Sequence, residues 1–409
     1  MDLSYRVALR YFLSYRKRSF ISIIALIAMV GIGVGAMSMV VVLSVFNGME
    51  DLNRQIFKSF DPDIRVSPAE GRKFKMSDSL LTAIRKTNGV SFVTQVLEDN
   101  ALASYDGQQV LVRLKGVDST FQYRRQMDTT LLEGSLKLTG PNGTRFALIS
   151  DGIRNALSVS FRDAFIPFEL WYPRSDRKTL NFNNAEAFNQ VSVIPGGTFF
   201  IESRYDDFVF VPIEVAESLM GLQNERSALE IILTDDASET SVMRQLRSLL
   251  GAGFTVLNRD EQNADLLRAI KVEKLFVTVT LSLIILVAAI NIFFSLSMLT
   301  IEKKGDTAIL FAMGAQPSLI RRIFIAVGNI VAFTGAGVGL AAGIAVCWAQ
   351  KKYGLVSMGM KTALVDAYPV QLQWGDILLT AVVIILITII VSFVPAIKAA
   401  RQTPYAFKS

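Results

Sequence analysis

Four stretches of this 409-residue chain contain no charged side chain: 20–46, 275–301, 323–350 and 377–397, of 27, 27, 28 and 21 residues. Each exceeds the roughly 20 residues that an α-helix needs to cross a hydrocarbon core about 30 Å thick. Four membrane-spanning helices are therefore expected. A cleaved secretory signal is the alternative for the first stretch, but its apolar part is about twice the usual length and lacks an A-x-A-like site.

The intervening segments differ in charge. The first, 1–19, carries Arg6, Arg10, Arg16, Lys17 and Arg18 against Asp2, and reads as an amphipathic cytoplasmic segment. Segment 302–322 carries Lys303, Lys304, Arg321 and Arg322 against Glu302 and Asp306, and the tail 398–409 carries Lys398, Arg401 and Lys408 unopposed. These three sum to +9, whereas 47–274 and 351–376 together sum to −3. The excess of Lys and Arg places both termini and 302–322 in the cytoplasm and the other two segments outside. Lys351 and Lys352 run against this rule and are outweighed.

Composition narrows the chemistry. There is no His and one Cys, Cys347, which removes imidazole bases, Ser-His-Asp and Cys-His nucleophiles, His-containing or Cys-rich metal sites and an intrachain disulfide. No catalytic residue, metal site, resident cofactor or nucleic-acid partner is expected. The chain also contains no Gly-Lys pair, hence no phosphate-binding loop of the G-x-x-x-x-G-K-[ST] type. If ATP drives this protein, its Mg-bound form is held and hydrolysed by another chain.

The outer segment 47–274 has ordinary soluble composition and room for one large or two small domains. Ile64 and Val66 alternate with polar neighbours as in a strand. Ser77 offers an N-cap to a helix with Leu80, Leu81 and Ile84 on one face, stopped by Gly89. Strands are expected at 92–96 and 110–116, the second after an Asp106-Gly107 turn. Near the end the pattern recurs: a strand at 229–233, a helix opened by Ser238 with Val242, Leu246 and Leu249 inward, Gly251, and a strand at 254–257. These two units suggest one α+β subdomain with a β-rich insertion at about 120–222, whose best strands are 199–201 and 208–211. Within it, 165–189 carries Pro167, Trp171, Tyr172, Pro173, Arg174, Arg177 and Lys178. Such a mixture serves an exposed arm that grips a partner, or a hairpin whose aromatics pack on its own domain. After Asp260, Leu266, Leu267, Ile270 and Leu275 run without a breaker into the second span, as one continuous helix.

Within the spans, Gly31/Gly35 and Gly335/Gly339/Gly343 recur every fourth residue and permit close helix approach, within a subunit or between two. Asn291 needs a polar partner in lipid, and Cys347 reads as a small apolar residue. Val42, Phe46 and Met49 share one face at the outer end of the first span, Phe276 opens the second, and Asn47-Gly48 is expected to end or kink the first helix. Bulky, flexible groups suit acyl chains; facing lipid or a neighbouring helix is the plainer reading.

In the cytoplasmic loop, Glu302-Lys303, Asp306, Ala308-Ile309-Leu310, Met313-Gly314-Ala315 and the following Ile-Arg-Arg resemble the signature of FtsX-like (MacB-type) ABC permeases. There a short helix docks into an ATPase. Ile309, Leu310 and Met313 would form the apolar patch and the flanking charges its orientation; lying on the lipid surface is the alternative. Asp306 stands where the family often has Glu. The ending Pro395-Ala396 through Ala399-Ala400-Arg401 to Pro404 is similar to the family's P-x-x-x-A-A-R-x-x-P. The runs from Leu43 to Glu50, Val272-Glu273-Lys274, Ala288 to Ile292, Gly116-Val117-Asp118 and Tyr205 to Val211 resemble the LolC/LolE lipoprotein-releasing branch.

The resemblance implies a membrane α-helical fold with four transmembrane helices and a large α+β extracytoplasmic domain, a porter-like part plus an inserted β-rich part. It implies a permease of the bacterial inner membrane that pairs with a second copy or a paralogue and binds LolD-like ABC ATPase subunits. Such a permease takes triacylated lipoproteins from the outer leaflet and passes them to a LolA-like periplasmic carrier. Val42, Phe46 and Met49 match cavity-lining positions, Phe276 faces the same region, and Trp171, Tyr172, Pro173 and Arg174 lie where the carrier-binding arm would be, without its sequence. Permeases that export drugs or toxins or control a cell-wall hydrolase, and an ATP-independent receptor or scaffold, are the competing readings.

Overall fold

The computed structural model describes residues 3–14, 20–161, 166–174, 187–359 and 367–401. Arg16, Lys17 and Arg18, Phe165, the arm's 175–186 with Arg177 and Lys178, and the tail with Pro404 and Lys408 lie outside the described residues.

In chain order the elements begin with α1 (Leu3–Ser14), α2 (Phe20–Phe60), β1 (Ile64–Pro68), β2 (Phe74–Lys75), α3 (Asp78–Arg85), β3 (Val90–Tyr105) and β4 (Gln108–Val117). They continue with β5 (Leu131–Gly134), β6 (Phe146–Ser150), α4 (Asp151–Leu157), β7 (Phe168–Pro173), β8 (Phe188–Phe199), β9 (Phe208–Pro212), α5 (Ile213–Met220), β10 (Glu225–Arg226), β11 (Ala228–Leu233), α6 (Glu239–Leu250) and β12 (Phe254–Asn258). Last come α7 (Arg259–Gln262), α8 (Ala264–Glu302), α9 (Lys304–Ala312), α10 (Pro317–Tyr353) and α11 (Trp374–Ala400). The chain divides into two compact units, a helical one from residues up to 52, 268–358 and 367 onward, and a sheet unit from 53–267.

The sheet unit begins with the two expected strand–helix–strand repeats. Their strands lie side by side in the antiparallel order β12-β1-β11-β3, with Ile64 opposite Ile231 and Val66 opposite Val256. This 4-1-3-2 order is that of the split βαβ motif. Helices α3 and α6 bury Leu81, Ile84, Val242, Leu246 and Leu250 in its core. Ser77 caps α3 by accepting from the Leu80 N–H at 3.3 Å, but the helix ends at Arg85, before Gly89. On α6 the inward residue is Leu250; Leu249, expected inside, is 48% exposed.

The insertion is not a separate sheet. Strand β3 is 16 residues long, and its second half turns at Asp106 (φ 48°) and Gly107 (φ 78°) into β4. Two positive φ angles at an Asp-Gly pair are what a tight hairpin of this twist requires. Beyond that hairpin β4 pairs in parallel with β9, β9 with β6, β6 with β8, β8 with β7, and β7 back with β3. Six strands thus close a circuit around Leu97, Leu114, Ile149, Leu170 and Val209. Helices α4 and α5 add Ile153, Leu157, Ala216 and Leu219 to that core. The segment read as strand 199–201 contributes only Phe199, the last residue of β8.

In the helical unit α2, α8, α10 and α11 are each long and apolar enough to cross a membrane. Their shared core holds Ile32, Met39, Leu43, Ile285, Ile292, Phe324, Val327 and Ile384. Helix α1 joins it through Ala8, wholly buried, with Val7, Tyr11 and Phe12 alongside. Threonines inside this bundle, Thr300, Thr380 and Thr388, donate to the carbonyl four residues back in their own helix, which satisfies the hydroxyl without a partner.

Candidate functional site

Helices α2 and α8 meet along an antiparallel seam made possible by small residues. A Cβ built on Gly31 would stand 3.1 Å from Ala288 Cβ, and one on Gly35 would stand 2.7 Å from Ile285 Cγ1. On α2's other side, a Cβ on Gly33 would stand 3.0 Å from the Gly335 carbonyl of α10. These glycines therefore pack helices within one chain.

At its outer end the seam is tied by polar groups. Lys274 Nζ donates to Asn47 Oδ1 at 2.8 Å and pairs with Asp376 Oδ1 at 3.1 Å. Asn47 Nδ2 donates to Asp376 Oδ2 at 2.6 Å and to the Gln371 carbonyl at 3.2 Å. Asn47 is 2% exposed and Asp376 9%. Three helices, α2, α8 and α11, are thereby joined at one point. The Gln371 N–H donates to the Ser44 carbonyl at 2.9 Å, laying the segment before α11 across α2. A Cβ on Gly48 would collide with the Pro369 carbonyl.

The expected break at Asn47-Gly48 is thus absent: α2 continues to Phe60. Asn47 spends its amide on α8 and α11 instead of its own backbone, and Gly48 is small because another chain segment crosses it. Val42, Phe46 and Met49 are half-buried, while Phe276 is 67% exposed on the opposite side of α8 from Lys274. Phe276 is therefore not brought to the α2 face. Asp376 was not legible as a site residue. Its signal was position, since Lys274 and Asp376 each directly precede an uncharged stretch.

At the other end of the helical unit, α9 presents Ile309, 61% exposed, and Met313, 77% exposed. Leu310 turns inward and packs on the bundle core with Phe311, so the outward apolar patch is the pair Ile309 and Met313. Lys303 Nζ lies 3.7 Å from Asp306 and 4.0 Å from Glu302, and 5.7 Å from the Tyr11 ring centre. Gly314 ends the turn with φ 87°, a conformation that favours glycine.

In the sheet unit Trp171, Tyr172 and Pro173 form the end of β7, paired with β8 and, at Trp171, with β3. The Tyr172 hydroxyl donates to Asp99 Oδ2 at 2.9 Å, and Lys73 Nζ reaches the same oxygen at 2.7 Å. Burial and the neighbouring Asp99 push the Tyr172 hydroxyl up to about 12. Trp171 Nε1 donates to Glu169 at 3.2 Å. Only Arg174 is exposed, its Nε donating to Asn189 Oδ1 at 3.0 Å. The described base of the arm is thus packed on its own domain.

The FtsX-like permease C-terminal family matches residues 278–404, and the MacB-like periplasmic core domain family matches 25–249, more than half of the chain. The chain belongs to the family of FtsX-like, MacB-type ABC permeases. Among its relatives are the lipoprotein-releasing system transmembrane protein LolC of Neisseria meningitidis, 22% identical over 97% of both chains. The protein LolE of Haemophilus influenzae is 22% identical over 99% of this chain and 98% of its own. The solved periplasmic region of MacB from Actinobacillus actinomycetemcomitans overlays 50% of this chain and 91% of its own at 12% identity, with a TM-score of 0.35.

In this permease's sheet unit the last turns of α2 and the residues just after it are tied to α7 and Asn263. Arg54 pairs with Asp260, Asn263 Nδ2 donates to Asp61 at 2.7 Å, and Arg259 pairs with Asp63 at 2.6 Å. Next to them lies a buried charge cluster absent from the sequence reading. Glu230 on β11 is fully buried, 2.6 Å from Lys115 Nζ and 2.7 Å from Arg124 Nη2, with Arg65 at 3.8 Å. Burial alone would raise this carboxyl, but Arg124, Lys115 and Arg65 bring it down to about 2. Arg124 Nη1 also donates to the Phe60 carbonyl at 3.2 Å, and Lys115 Nζ sits 5.3 Å from the Phe60 ring centre. The cluster thereby anchors the last turn of α2.

Proposed function

We propose that this permease is the membrane subunit of an ATP-driven complex that releases acylated lipoproteins from the outer leaflet of the inner membrane to a soluble periplasmic carrier. The observation that carries this is the end-to-end similarity to proteins named as lipoprotein-releasing. Both termini and α9 lie in the cytoplasm and the sheet unit in the periplasm, as the charge balance requires. ATP is hydrolysed by separate ABC ATPase subunits, since the chain has no phosphate-binding loop. Ile309 and Met313 enter a cleft of that ATPase, with Glu302, Lys303 and Asp306 fixing the approach and Gly314 ending the helix. Leu310 supports them from inside.

A second permease, identical or paralogous, supplies the other wall of the lipid cavity. Val42, Phe46 and Met49 of α2 meet the acyl chains, and Phe276 lines the outer flank of α8. Closure of the ATPases moves α9, and the unbroken helices α2 and α8 carry that movement outward to the sheet unit. Acyl chains are expelled toward a carrier held by the arm that starts at Trp171 to Arg174. A photoreactive amino acid at Phe46 in cells tests this. Adducts with lipoproteins that disappear on addition of ATP and carrier are expected; phospholipid adducts alone, unaffected by ATP, contradict it.

A further inference from the structure

The α2–α8 seam has a fixed register. Gly31 lies against Ala288 and Gly35 against Ile285, so paired numbers sum to 319 and 320, and at the outer end the long Lys274 side chain reaches past this line to Asn47 on another face of α2. At 3.6 residues per turn, Gly31, Gly35, Val42 and Met49 fall on one line of α2, with Phe46 beside it. The matching line on α8 is Ala288, Ile285, Leu281, Thr278 and Lys274. By this spacing Val42 and Met49 point to the same side of α2 as the two glycines, and with Phe46 they are half-buried. Below them the seam is apolar, and packing between apolar helices in lipid has little direction. Above them Lys274, whose side chain is 25% exposed, closes it by meeting Asp376 at 12%. Of the four spans α8 is also the least buried within its unit.

We propose that Asn47, Lys274 and Asp376 form a releasable latch at the outer end of the α2–α8 seam. Parting Lys274 from Asp376 lets the outer end of α8 leave α2 and α11, and exposes Val42, Phe46 and Met49 to an acyl chain. The latch depends on opposite charge at 274 and 376, because Asn47 can present either its amide N–H or its carbonyl to whichever charge faces it. It deepens the lipid-release reading, yet its test needs only a membrane lipid.

The test uses the full chain in nanodiscs of phosphatidylglycerol and phosphatidylethanolamine, with Cys347→Ala as background. Spin labels at Val272→Cys on α8 and Leu378→Cys on α11 report the outer separation, and a photoreactive residue at Val42 reports acyl contact. In Lys274→Met and in Asp376→Asn the distance distribution should shift to separations longer than any in the parent. Phospholipid adducts at Val42 should rise several-fold. The exchanged pair Lys274→Asp with Asp376→Lys should return both readouts toward the parent and shows that the single variants had not merely misfolded. Unchanged distance and adduct yield in the single variants, or an exchanged pair that behaves like them, overturns the latch. Failure of lipoprotein release in the parent complex would count against the transport reading alone and leaves both readouts interpretable.

Discussion

Replacing Glu230 by Gln removes the carboxylate that Lys115 and Arg124 share while leaving its volume. In the wild type that carboxyl lies at about 2 rather than 4.5, a difference worth roughly 3 kcal/mol. Removing one partner of a buried ion pair costs about 3–5 kcal/mol by comparison, because the remaining charge stays buried. Asp61, which also faces Lys115 and Arg124, keeps the loss near the lower figure. For a unit of this size each kcal/mol moves the midpoint by about 2–4 °C, so the sheet unit should melt roughly 6–12 °C earlier. Thermal unfolding of the full chain in detergent, followed by far-ultraviolet circular dichroism and by proteolysis near Phe60, measures this. The sign with pH follows from the lowered carboxyl. Its stabilisation is complete above about pH 4.5 and is lost as pH falls toward about 2. The variant should lack that part of the acid slope. An unchanged midpoint together with an unchanged acid slope would show that the cluster contributes no net stability and that α2 is anchored by other contacts.

Three further outcomes follow from single positions. Gly48→Ala would stabilise an isolated helix by about 1 kcal/mol, but here the methyl meets Pro369. A lowered melting temperature and faster proteolysis at 369–373 are expected, and a raised melting temperature would mean that the crossing segment is not held there. Ile309→Asp or Met313→Asp should abolish co-purification of an ATPase and leave the chain's melting temperature within about 1 °C, because both side chains are exposed. Leu310→Asp should lower stability instead; equal effects at all three positions contradict the inward and outward assignment. Tyr172→Phe removes a hydrogen bond to a charged carboxylate and should cost about 1.5–3 kcal/mol in urea unfolding of the full chain; no change would mean that Lys73 alone satisfies Asp99.

The spans were legible because lipid allows one local solution for an isolated apolar segment, and charge marks its ends. The two strand–helix–strand units were legible for a similar reason: Ser77, the Asp106-Gly107 turn and the alternating Ile64 and Val66 each carry local chemistry. The closed circuit of six strands was not, since β4 pairs with β9 across about ninety residues and no local pattern encodes that choice. Asn47-Gly48 misled because both residues usually end helices, whereas here their use is tertiary. Leu310 could not be told from Ile309 by spacing alone; the bundle core decides which of them turns inward. Glu230 sits inside an apolar strand pattern, and the cations that neutralise it come from β1, β4 and the segment after β4.

The most direct measurement is release itself. The permease, its co-purified ATPase and its permease partner are reconstituted into proteoliposomes with a triacylated lipoprotein, and a soluble periplasmic carrier is added outside. ATP-dependent transfer of lipoprotein to the carrier, lost when Met313 is changed to Asp and when the lipoprotein lacks its acyl chains, is the expected result. Transfer that proceeds without ATP, or no transfer while the complex hydrolyses ATP and exports another cargo, contradicts it.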